Sequence, residues 1–156
     1  MRVDFYQLSR DPAEAVVPGL VVNTLKAGVR MLVVSSDADQ RVAISQALWS
    51  HAPEGFLAHG EAGGAHDARQ PVLLSDAVVA PNGAKFVALA DGVWRDGLDV
   101  FERVFLLFGP AEIDAARGCW RMLGEREDVE RKFWVQDGGK WREGRSEEHT
   151  SELQSQ

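Results

Sequence analysis

The chain has 156 residues, 45% of them hydrophobic, and a formal net charge of -7, which suits one domain burying roughly two thirds of its unfolded surface. That charge excludes broad affinity for nucleic acid, because phosphate binding relies on clustered Lys and Arg; no direct DNA binding is expected, and any role near DNA would run through another protein. The longest apolar runs, such as VFLLF at 104–108, fall far short of the roughly 20 residues that span a bilayer. No apolar signal segment follows Arg2 and Asp4, and a lone Cys119 excludes an internal disulfide, so a cytoplasmic protein without membrane contact is expected.

In chain order, VDFYQL at 3–8 alternates and reads as a first strand. Asp11, Pro12 and Glu14 read as cap, first position and capping acid of a helix to about Lys26, which Gly28 stops and Pro18 kinks or delays. VRMLVVS at 29–35 is a continuous apolar run, as in a strand covered on both faces. Ser36 followed by Asp39 predicts the cap of a second helix through Trp49, with Ile44 and Leu48 on its buried side. The tract from Ala47 to Ser75 strands two large aromatics, Trp49 and Phe56, in polar, turn-rich sequence. Each such ring can bury about 150–250 Å², and interfaces enrich these types, so the tract points to docking before catalysis.

From Pro53 to Gln70 the glycine-rich sequence predicts loop. PVLLS at 71–75 and AKFVALA at 84–90 predict strands, with Asn82-Gly83 between them offering a hairpin turn. FERVFLLF at 101–108 predicts another strand, 111–123 a weakly capped helix, and KFWV at 132–135 a short final strand. The order defines the fold class as α/β: a single-domain, Rossmann-like three-layer sandwich with a mixed sheet. The domain is expected over residues 1–144. Residues 145–156, RSEEHTSELQSQ, lack periodicity and resemble a translated sequencing adapter, which marks them as a non-native tail. Removing Arg145, Glu147, Glu148 and Glu152 takes away a net -2 and leaves -5 for residues 1–144, so the acidic balance stands.

A Rossmann-like order invites a nucleotide, and the alternative function is a small nucleotide-binding enzyme of unknown substrate. The first strand-to-helix turn, QLSRDPAEA, has no nucleotide-binding glycine loop, and no GxxxxGK[ST] occurs. Asp37 could meet a ribose, but its simpler place is the first turn of the second helix. His51, His59 and His66 with Asp67 have spacings that match no metal-ligand pattern, and neither metal nor cofactor is expected. Cys119 lies among apolar and basic residues of the late helix as a small hydrophobe, and no nucleophile elbow surrounds Ser35, Ser36 or Ser45. In that helix Arg117 and Arg121 stand at i and i+4 with Trp120 beside them, a cluster able to pair with a carboxylate and hold an aromatic ring, or a solvated basic face with Trp120 turned inward.

These pieces together resemble one family, the chi subunit of bacterial DNA polymerase III holoenzyme. The resemblance covers about residues 1–144 and rests on VDFYQL, LVVSSDADQ, ALW followed by PEGFLAHG, HDARQPVLLS, FERVFLLF and the AAR of the late helix. It implies a Rossmann-like fold without catalytic chemistry of its own and two protein surfaces. One, matched here by Trp49 and Phe56 with Pro53 between them, would bind the psi subunit of the clamp loader or its equivalent, or a helicase at the same patch. The other would grip the acidic, Phe-ended C-terminal tail of single-stranded-DNA-binding protein through Arg117, Trp120 and Arg121, with Phe108 at the apolar pocket. Against the family pattern, Ile113 replaces a lysine, Trp120 replaces a tyrosine and the connection before the helix is two residues shorter. Arg126 and Lys132 are the candidates to restore the missing charge.

Overall fold

The structure is a computed structural model and describes residues 1–51, 57–138 and 140–144. Among these residues, β1 (Arg2–Gln7), β2 (Met31–Val34), β3 (Gly60–Glu61), β4 (Val72–Ser75), β5 (Phe86–Leu89), β6 (Arg103–Phe108), β7 (Glu130–Asp137) and β8 (Lys140–Gly144) form one sheet. Its strand order is β3-β4-β2-β5-β6-β1-β7-β8. Every neighbouring pair is parallel except the closing β7–β8 hairpin, so the sheet is mixed, as expected. The helices are α1 (Ala13–Lys26), α2 (Ala38–Trp49) and α3 (Ile113–Gly124).

Alternation along the strands sorts the core into two layers. Tyr6, Met31, Val33, Val72, Leu74, Ala88, Phe105 and Leu107 pack with Val17, Val21, Ile44 and Leu48 of α1 and α2. Val3, Phe5, Leu32, Val34, Val87, Leu106 and Phe108 point the other way, against Ala116, Cys119, Trp120 and Leu123 of α3 and against Leu98 and Phe101. The result is the three-layer arrangement, with α1 and α2 on one face and α3 on the other. β2 is buried along its whole length, as its unbroken apolar run requires.

α1 does not start as the sequence suggests. Pro12 is the N-cap, with φ -73° and ψ 165°, and Asp11 makes no cap bond; its Oδ2 instead accepts from Nε2 of Gln136 at 2.7 Å. The helix continues through Pro18, whose ring is buried. It stops where Gly28 adopts φ +77°, a conformation that strongly favours glycine. At α2 the cap is Asp37 rather than Ser36: its Oδ1 accepts from the Asp39 N–H at 2.9 Å. Ser36 is committed elsewhere, its N–H donating to Asp91 Oδ2 at 3.0 Å and its hydroxyl accepting from Arg95 at 2.8 Å.

The Asn82-Gly83 hairpin does not form. β4 and β5 lie on opposite sides of β2 and never pair. The Asn82 side chain, 3% exposed, instead donates to the carbonyls of Met31 and Gln70 and accepts from the Ala84 N–H. It thus ties the crossover to the starts of two strands, a long-range role that a local turn signal does not encode. The tract to Gln70 is not all loop, because Gly60–Glu61 adds the edge strand β3 and Asp67–Arg69 forms a short 3-10 turn. β7 runs well beyond 132–135, and β8 pairs with it.

Candidate functional site

At the β1–α1 turn the backbone N–H groups of Ser9, Arg10 and Asp11 converge on one acceptor at 3.2, 3.0 and 3.2 Å. Three converging N–H groups make an anion nest, but the acceptor is Oε1 of the chain's own Gln136, only 8% exposed. Beside it, at the C-terminal ends of the strands, an open cavity of about 340 Å³ is lined by Glu14, Asp37, Asp91 and Glu112 among others. Burial pushes the Asp91 carboxyl up, yet hydrogen bonds from Arg95 and the Ser36 N–H outweigh it and hold the group below the usual carboxylate range. A phosphate entering this crevice would face the Asp91 carboxylate and a nest already filled. Removing the filler tests the local account: Gln136→Ala is expected to lower stability by about 2 kcal/mol in urea unfolding, the cost of leaving buried donors without an acceptor. An unchanged midpoint and slope would show that Gln136 does not hold the turn.

The remaining chemical candidates resolve into structural roles. Burial pushes the Cys119 thiol up to about 12, so it carries no thiolate at neutral pH. His59 Nδ1 lies 2.7 Å from the Leu57 carbonyl and Nε2 lies 2.7 Å from Ser45 Oγ. The carbonyl only accepts, so Nδ1 donates to it, and in the neutral ring Nε2 accepts from the hydroxyl. His51 and His66 are exposed, and Asp67 accepts from the Gly63 and Gly64 N–H groups. Among the described residues no group of three or more His, Cys, Asp or Glu is placed to hold a metal ion.

Trp49, at the last turn of α2, is 57% exposed. Its indole meets the His59 ring edge-on at a centroid distance of 5.6 Å, and His59 is itself pinned by Ser45 and Leu57. Val42, 56% exposed, stands seven residues earlier on the same helical face. Polar Ser45 and Gln46 lie between them on that face, so what α2 presents to solvent is one large ring, Trp49, at its last turn. Pro53 and Phe56, the other two residues predicted for this patch, lie outside the described residues.

On the opposite face of the sheet, the four residues predicted for tail binding divide in two. Arg117 keeps 23% of its side chain exposed, with Nη1 3.7 Å from Asp114 Oδ1, and Arg121 is exposed. Trp120 and Phe108 are 2% and 1% exposed. Trp120 packs edge-on against Phe5 and Phe133, and Phe108 meets Phe5 edge-on and Phe133 at a tilt. Both sit in the core between α3 and the sheet and offer a partner little surface of their own. Neither candidate for the missing charge supplies it. Arg126 is held by Asp99 and Asp128 at 2.9 and 2.7 Å. Lys132 shares the Trp134 side of β7, away from α3, and lies 4.0 Å from Glu143.

The base that does reach α3 is Arg131, which sequence reasoning passed over. Its guanidinium stacks 4.1 Å from the Trp120 ring centroid, and Nη1 donates to the Trp120 carbonyl at 2.6 Å. Strand alternation was the available signal: Phe133 is buried under α3, so residue 131 shares its face and residue 132 does not.

The fold and these features define an α/β domain of Rossmann-like order whose phosphate position is taken by its own glutamine. The family model of the DNA polymerase III chi subunit, HolC, matches residues 1–128, and the chain belongs to that family. No curated protein matches it in sequence. Among the described residues no helix is long and apolar enough to cross a membrane.

Proposed function

We propose that this chain, an accessory component of bacterial DNA replication by its family, is a non-catalytic cytoplasmic bridge. One surface, built on Trp49 with Pro53 and Phe56, docks on the clamp loader through the psi subunit or its equivalent, and can alternatively take a helicase. The other, built on Arg117 and Arg121 over Trp120 and Phe108, holds the acidic C-terminal tail of single-stranded-DNA-binding protein. The observation that carries this reading is the disposition of the two features. An exposed indole sits on the α2 face of the sheet and a set of arginines on the α3 face, so two partners can bind without competing.

The chemistry suits each partner. An exposed tryptophan is the type of residue that dominates protein interfaces. Guanidinium groups take carboxylates through charge-assisted hydrogen bonds, and Arg does so in a fixed fork. The filled nest and acidic crevice argue against nucleotide chemistry in the same fold. Arg117→Ala is expected to weaken binding of an acidic, Phe-ended peptide by about 1.5–3 kcal/mol, the range for a hydrogen bond to a charged group, at an unchanged melting temperature. A calorimetric titration measures this directly; equal affinity for both proteins would remove Arg117 from the site.

A further inference from the structure

Arg131 is half-buried, and no carboxylate among the described residues pairs with it. Burial alone draws its pKa below the usual guanidinium range. Elsewhere the fold gives half-buried arginines a carboxylate, as Asp91 does for Arg95 at 2.7 Å. Here the guanidinium is fixed by ring and carbonyl instead, and left with donors to spare.

Its seat is cut into α3. A Cβ added at Gly124 would stand 2.6 Å from Arg131 Cζ and Nη1, so the guanidinium lies flat over the last turn because that residue is glycine. Gly124 is seven residues after Arg117, two helical turns on the same face, or about 10 Å along the axis. Arg121 falls between them. An extended peptide covers about 10 Å in three residues.

We propose that Arg131 is a further carboxylate-binding group of the α3 surface, beside Arg117 and Arg121, supplying from β7 the charge that Ile113 does not supply from the helix. With Arg117 it recognises an extended acidic peptide carrying two carboxylates about three residues apart, the terminal carboxylate being one. This rests on the tail-binding reading given above. Asp114, 3.7 Å from Arg117, is the acid that faces this row from α3 itself, and an incoming carboxylate takes its place.

The test is calorimetric titration of acetylated six-residue peptides ending in Phe with a free carboxylate and an aspartate three residues before it. Arg131→Gln is expected to lower affinity roughly tenfold, in line with a charge-assisted hydrogen bond. Gly124→Ala keeps the charge but displaces the guanidinium; affinity is expected to fall several-fold while the melting temperature holds or rises, since alanine suits a helix better. The loss in Arg131→Gln should shrink when either the aspartate is changed to Asn or the terminus is amidated. If the wild type binds and both variants bind equally well, the role of Arg131 is wrong and the tail-binding reading survives. Weaker binding by Arg131→Gln with a lowered melting temperature, and normal binding by Gly124→Ala, would assign Arg131 to structure alone. A wild type that binds none of these peptides would overturn the tail-binding reading itself.

Discussion

Asp4→Ala is expected to destabilise the domain by about 3 kcal/mol, the lower end of the range for removing one partner of a buried ion pair. Asp4 is fully buried in β1 and is held from three directions. Arg2 donates from Nε and Nη2 at 2.9–3.2 Å, Arg103 Nε donates at 2.7 Å, and Trp134 Nε1 donates at 2.9 Å. β1 lies between β6 and β7, so this one carboxylate joins three adjacent strands. Its loss leaves two guanidinium groups and an indole N–H facing an apolar space. The lower end applies because the Arg2 and Arg103 side chains are 31% and 26% exposed and recover some hydration. Chemical denaturation checks the figure. A change below about 0.5 kcal/mol, the size of an ordinary surface substitution, would show that the strands are joined by their backbone and apolar contacts alone.

Trp49→Ala is expected to cost at least about 2 kcal/mol of affinity for a clamp-loader partner, as for a central interface aromatic, or roughly 30-fold in Kd. Domain stability should change little, because the indole is more exposed than buried and the α2 core contacts belong to Ile44 and Leu48. The same substitution should leave binding of the acidic peptide unaltered, since α3 lies across the sheet. Surface plasmon resonance with purified psi subunit separates the two expectations. Intact psi binding would take Trp49 out of the interface; a lowered melting temperature would instead make the residue structural.

The elements most legible in the sequence were those fixed by local pattern. The unbroken MLVV run announced a strand buried on both faces, the Ile44 and Leu48 pair announced the inner side of α2, and Gly28 marked the end of α1. The errors came where a distant partner outbid a local signal. Gln136 captured Asp11, Asp91 and Arg95 captured Ser36, and Asn82 turned from a hairpin residue into a tie between strand starts. β8 was invisible because an edge strand such as KWREG buries little and carries no apolar alternation. At the candidate site, Arg117 and Arg121 were legible as a pair on one helical face. The burial of Trp120 was the open half of that reading, and it is settled by contact with Phe5 and Phe133. Arg131 was hidden by one residue of strand parity, which only the position of Phe133 under α3 fixes.

The bridge is tested most directly by assembling single-stranded-DNA-binding protein, this chain and purified psi subunit and measuring the mass of the complex by light scattering after gel filtration. A ternary complex is expected, from which Arg117→Ala loses only the single-stranded-DNA-binding protein and Trp49→Ala only psi. Mutually exclusive binding of the two partners, or loss of both with either substitution, would contradict it.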